Sequence, residues 1–209
     1  MPSDILLFFS GVQGKTDHDD FVAGGRRVDN GDQGSFDELT AIPDRNGYPR
    51  INKGWYGSIV MQRGINAASD FMNQCKEYVP GESKLIIYGY SAGGYNALTL
   101  CRLFDEYNRS SGDFLTPKNF VVDLLITIDA AARALTSRID RTVGDCVKRN
   151  VNHYERAMLA ETLDRSQGDK NTGKCNPENT LHLFTTHGGM QNKTMSIAVA
   201  EVKKCLGVQ

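Results

Sequence analysis

Residues Lys84 to Leu98 read KLIIYGYSAGGYNAL. The apolar run Leu85-Ile86-Ile87-Tyr88 has the length and composition of a strand buried on both faces. It meets Gly89-Tyr90-Ser91-Ala92-Gly93, a G-x-S-x-G sequence. The segment behind it places Ala97, Leu98, Leu100, Cys101, Leu103 and Phe104 at helical spacing, as one wide apolar face. Strand, sharp turn and helix in this order are the setting of a nucleophile elbow. Glycines on both sides of the serine let strand and helix approach closely. The positive end of the helix then faces the serine and favours a developing oxyanion. Ser91 is therefore the candidate nucleophile.

The flanking segments extend the same architecture. Ile5-Leu6-Leu7-Phe8-Phe9 is a first buried strand. Gly64 to Val79 has Ile65, Ala68, Met72, Cys75 and Val79 on one helical face, and Pro80-Gly81 ends it. Phe120 to Ile128 is a third strong strand, ending in Asp129-Ala130-Ala131. Residues 132 to 163 read as helices and connections, and residues 164 to 178 as a polar, mobile surface loop. Thr180 to Thr186 reads as the last strand, running into a glycine-flanked loop at His187. A final helix carries Met195, Ala198, Val202 and Cys205 on one face. Strands alternating with helices give an α/β fold, a three-layer sandwich with a mostly parallel central sheet. At 209 residues the chain fits a single domain, residues 1–209, with a loop-rich insertion at about 16–54. That insertion is long enough to be functional. It reads as a cover over the site, with a short hairpin.

A serine hydroxyl needs a base, and the base needs an orienting acid. The chain has four histidines: His18, His153, His182 and His187. His187 follows the last strand at the sheet edge where Ser91 lies, and is the candidate base, with His153 in reserve. Asp129, just past a strand end and between serine and histidine in sequence, is the candidate acid. Asp140, Asp145, Glu161 and Asp164 are the alternatives. The oxyanion donors are read as the backbone N–H of Ala92, next after the serine, and those of Gly11 and Val12, after the first strand.

Other chemistries find less support. The net charge of -1 offers no electrostatic footprint for nucleic acid. Asp17-His18-Asp19-Asp20 is read as a solvated acidic loop, since adjacent residues rarely converge on one ion, and no cysteine spacing suggests zinc. No metal or organic cofactor is expected. Of five cysteines, Cys75, Cys101 and Cys205 read as small core residues; Cys146 and Cys175 could pair in an oxidising compartment. The stretch MPSDILLFFSG reads without a basic n-region, and no apolar run has membrane length. The expected location is cytoplasmic, or secreted without a cleaved signal peptide.

Four stretches carry a resemblance: Tyr78-Val79-Pro80-Gly81 leading to Ile86–Gly93, Leu124–Asp129, Asn150–Tyr154, and Thr186–Met190. On these the chain resembles α/β hydrolases of the lipase-like type, a group that includes lipase effectors of bacterial type VI secretion. The resemblance implies ester hydrolysis on lipid-like substrates, with Ser91, Asp129 and His187 as triad. It also implies peripheral membrane contact and, for a secreted effector, a cognate immunity protein. A thioesterase or peptidase with the same triad, and a non-catalytic binding module on the same fold, are the other readings.

Overall fold

The structure, a computed structural model, describes residues 4–9, 38, 39, 41, 42, 51–55, 78–109, 119–131, 139–155, 168–183, 185 and 187–209. Among these residues the chain forms strands β1 (Ile5–Phe9), β2 (Ile51–Trp55), β3 (Leu85–Tyr90), β4 (Leu124–Ile128), β5 (Asn150–Glu155) and β6 (Glu178–His182). Helix α1 (Ala92–Arg109) follows β3, and helix α2 (His187–Leu206) follows β6. The strands make one sheet in the order β2-β1-β3-β4-β5-β6, and every neighbouring pair is parallel. The order reverses at β1, which has β2 on one side and β3 on the other. In open α/β sheets such a reversal opens a crevice at the carboxyl ends of the strands.

Alternation along the strands builds two cores. Leu7 and Phe9 of β1, Ile87 of β3 and Leu125 of β4 pack with Leu98, Cys101 and Phe104 of α1. The intervening residues, among them Phe8, Ile86, Tyr88 and Ile126, pack on the other face with Met190, Met195, Ala198 and Val202 of α2. Phe8 and Tyr88 stack there, with ring centroids 4.9 Å apart. Each fully buried Leu, Ile or Phe contributes about 1.5–3 kcal/mol. The apolar runs of β1, β3 and β4 have side chains to bury on both faces, which is why they read so clearly.

Elsewhere the structure corrects the sequence. Asn150–Glu155, expected within helices and connections, is an interior strand with all six residues buried. β6 lies two to four residues earlier than expected; its pairing stops at His182, opposite Glu155, where β5 also ends. β4 starts at Leu124, because Asp123 before it turns its carboxylate onto Leu85 N–H, Lys84 and Lys148. Ile51–Trp55 is a strand that pairs in parallel with β1 at the edge of the sheet. Leu39 and Ile42 are buried in the α2-side core. The rest of the expected cover at 16–50, and the helix expected from Gly64 as far as residue 77, lie outside the described residues. Tyr78 and Val79, at that helix's expected end, are not helical.

Residues 168–178, expected as a mobile surface loop, are tied to the sheet. Asn171 is 2% exposed, and its amide donates to Thr127 Oγ1 at 2.8 Å and to Asn150 Oδ1 at 3.0 Å. Cys101 and Cys146 are buried thiols, and Cys175 and Cys205 are half-buried thiols. Burial pushes the Cys205 thiol up to about 11. Among the described residues no helix is long and apolar enough to cross a membrane.

Candidate active site

The register aligns the ends of three strands. Tyr90 is opposite Ile128, and Ile128 is opposite His153. The residues just beyond, Ser91 after β3 and Asp129 after β4, therefore stand side by side at the carboxyl edge of the sheet.

Ser91 has φ of 57°, in the left-handed region. A non-glycine residue there costs about 1–3 kcal/mol and persists only where its surroundings fix it. Here the bonds that fix it are visible. Ser91 N–H donates to Ile128 O at 2.9 Å, and Ser91 O accepts from Ala131 N at 2.9 Å and Gly94 N at 3.0 Å. The elbow is thus sewn to the end of β4. A Cβ at Gly89 would lie 2.6 Å from Gly93 O, so only glycine fits at that position. Gly94 is a further such position, its absent Cβ falling 2.8 Å from Ala130 Cβ. α1 begins at Ala92, immediately after the serine. The first N–H groups of a helix have no acceptor within it, so the Ala92 N–H is free of the helix's own hydrogen bonding. Gly11 and Val12 lie outside the described residues.

His187 is the first residue of α2, rather than a residue of the loop before it. Its Nε2 is 2.8 Å from Ser91 Oγ, and its Nδ1 is 2.5 Å from Asp129 Oδ2. An ionised carboxylate can only accept, so Nδ1 carries the proton and Nε2 offers its lone pair to the serine hydroxyl. Asp129 is fully buried. Its backbone also lies in the left-handed region, with φ of 44°, which aspartate tolerates better than most residues. Asp129 N–H donates to His153 O at 2.6 Å, and Asp129 Oδ1 accepts Glu155 N–H at 3.2 Å. Arg141 braces the next residue by donating from Nη2 to Ala130 O at 2.9 Å.

Two contacts here were not legible in the sequence. Tyr90, the residue before the serine, stacks its ring on His187 with centroids 5.2 Å apart and planes 21° apart. Its hydroxyl donates to His187 O at 2.9 Å. Tyr90 thereby fixes both the ring and the backbone of the histidine. Glu155 is 3% exposed, beside Asp129. Burial raises its carboxyl above the usual range, and so does the Asp129 charge, while His187 opposes them. A Tyr or Glu at these positions carries no motif; only the register brings them to the site.

The remaining candidates are engaged elsewhere. His153 pairs through Nδ1 with Nε2 of His182, 2.9 Å away, and burial lowers it to about 4, with His182 adding to the shift. Asp140 accepts Thr142 N–H and pairs with Arg102, and Asp145 pairs with Lys174. His18, Glu161 and Asp164 lie outside the described residues, as does the Asp17–Asp20 cluster. Among the described residues no group of three or more His, Cys, Asp or Glu is arranged to hold a metal ion.

Known proteins resemble this chain in fold. No protein-family model matches it, and no curated protein sequence does. The esterase domain of a Rhodothermus marinus protein superposes with a TM-score of 0.50 at 12% identity, over 97% of this chain and 87% of that one. An uncharacterized Pseudomonas aeruginosa protein gives 0.50 at 11% identity, over 99% of this chain and 46% of that one. A putative YdeN-like hydrolase of Pectobacterium atrosepticum gives 0.47 at 13% identity, over 97% and 92%. At such identities the likeness is one of fold. The three-layer sandwich with its parallel sheet is an architecture that this chain shares with an esterase domain.

Proposed function

We propose that this protein is a serine hydrolase that cleaves carboxylic esters through an acyl-enzyme. The observation that carries the reading is the unbroken row from Asp129 Oδ2 through the His187 ring to Ser91 Oγ, mounted on a left-handed serine. Ser91 is the nucleophile, His187 the base and Asp129 the orienting acid. As Oγ attacks the ester carbonyl, its proton passes to His187 Nε2. Asp129 holds the ring and stabilises the imidazolium. The carbonyl oxygen, now an oxyanion, takes the Ala92 N–H as a donor, with a second backbone donor expected from the sequence at Gly11 or Val12. Collapse of the tetrahedral intermediate expels the alcohol, which takes the proton from His187. Water, deprotonated by the same nitrogen, then releases the acyl group and frees Ser91.

The substrate is proposed to be lipid-like, on the strength of the resemblance to lipase-like hydrolases. A fluorophosphonate probe tests the chemistry directly. It labels the folded wild type at Ser91 and leaves Ser91→Ala unlabelled. The same substitution lowers kcat on a p-nitrophenyl ester by at least about 10⁴-fold, with the melting temperature nearly unchanged. A folded wild type that takes no label is a binding module rather than an enzyme. Rates on p-nitrophenyl esters of increasing chain length, a phospholipid and an acyl-thioester separate lipase, short-chain esterase and thioesterase.

A further inference from the structure

The row Asp129–His187–Ser91 leaves one buried carboxyl of the site without a task. Glu155 closes β5, the strand next to the one that presents Asp129. It is 3% exposed, and its N–H holds Asp129 Oδ1, leaving Oδ2 for the imidazole. Its own Oε2 is buried and has no hydrogen-bond partner among the described residues. By strand alternation its side chain shares a face with Val151, which packs in the core beneath α2. That is the helix whose first residue is His187.

Among the described residues, the charged groups around Glu155 come from β4, β5, β6 and α2. Asp129 from β4 and His187 from α2 act on it directly. His153 lies on its own face of β5, and His182 is its register partner on β6. Lys193 and Glu201, further along α2, act on those two histidines. A carboxylate buried beside a second carboxylate is unfavourable, and the same carboxylate near an imidazolium is favourable. Burial and Asp129 therefore favour a proton on Glu155, and a charged His187 favours its release.

We propose that Glu155 is a positioning residue that acts through Asp129 and His187: its carboxylate stabilises the imidazolium formed when His187 takes the Ser91 proton, and so sets the pH at which the base becomes free. The role rests on the hydrolase reading of the same three residues. No bond to substrate is required of Glu155, and its effect is carried by charge.

The test compares wild type with Glu155→Gln, which keeps the shape of the side chain and removes the charge. The first readout is kcat/KM against pH on p-nitrophenyl acetate. In the variant the acid limb moves to lower pH by roughly one unit, since an anion near the imidazolium is gone. The plateau kcat falls several-fold, while KM stays put. A purely structural role would lower stability or activity without moving the limb. The second readout needs no turnover: the His187 ring is titrated by NMR in both proteins, and its midpoint falls in the variant. Superimposable acid limbs and equal midpoints would overturn the proposal. If wild type neither turns over the ester nor takes a fluorophosphonate, the hydrolase reading fails. The NMR titration still decides whether Glu155 controls the proton on His187.

Discussion

Asp129 uses its two carboxylate oxygens for different partners, and the division explains what a change there does. Oδ1 takes a backbone N–H from β5, and Oδ2 takes the imidazole Nδ1–H. Asparagine has one acceptor for these two donors. With its oxygen on Glu155 N–H, its NH₂ faces Nδ1, and the ring must turn its other tautomer to the serine. Asp129→Asn is therefore expected to lower kcat by about 10³- to 10⁴-fold with little change in KM, as steady-state kinetics would measure. Near-full activity would mean that another carboxylate orients the base. The elbow gives a second test at this scale. A methyl group at position 89 meets Gly93 O at 2.6 Å, and neither backbone can move without breaking the turn. Gly89→Ala should cost about 2–3 kcal/mol in urea unfolding and weaken fluorophosphonate labelling. Ser91, Asp129 and His187, which the structure brings into one row, stand out in the sequence because the proposed chemistry needs particular side chains just past strands. Tyr90 and Glu155 were not, because their contributions arise from contacts that only the sheet register creates.

At the scale of elements, legibility followed burial chemistry. β1, β3 and β4 read at once as runs of Ile, Leu and Phe. β5 reads NVNHYE and was hidden, although it is no less interior. Its asparagines are buried because they are satisfied. Asn150 Nδ2 donates to Leu125 O, Asn152 Oδ1 accepts from Thr127, and Asn152 Nδ2 donates to Asn179 Oδ1 and Asp169 O. Asn179 Oδ1 in turn accepts Asn171 N–H. A polar network, rather than an apolar stripe, thus joins this part of the sheet to residues 169–179. No period in the sequence announces such a network, since each amide is matched only by a partner distant in the chain. Asn152→Ala removes one hydrogen bond each from Thr127, Asp169 O and Asn179. The expected loss is about 2–3 kcal/mol, with faster amide exchange across residues 170–176. Fluorophosphonate labelling of Ser91 should survive, because the network lies on the α1 face of the sheet and His187 approaches from the α2 face. If exchange at 170–176 is unchanged, the network does not hold the segment.

For the molecule as a whole, the buried ionisable groups set how stability depends on pH, and their signs differ. His153 is buried and lowered to about 4, chiefly by desolvation and then by His182, with Glu201 opposing. His182 is lowered by desolvation and Lys193, against Asp129. Below about pH 6.5 the unfolded chain protonates these rings more readily than the folded one. Their contribution is complete above that pH and is lost as pH falls toward 4. Asp123 is lowered despite its burial, because Lys148, Leu85 N–H and Lys84 outweigh desolvation. Its contribution is present above the usual carboxylate range and is lost only at more acid pH. Glu155 has the opposite sign: raised in the fold, it stabilises at low pH and loses that contribution as pH rises through its folded value. The imidazoles should therefore dominate between pH 6.5 and 4.5, with Glu155 offsetting part of their effect. Urea unfolding over this range should show stability falling with pH well before the carboxylates that titrate low are reached. The His153 share is on the order of 3 kcal/mol at most. His153→Gln removes that titration, and its stability should vary less with pH over the same interval, even if its value at pH 7.5 is lower. An unchanged slope in this variant would show that the acid sensitivity of the fold does not arise from the His153 ring.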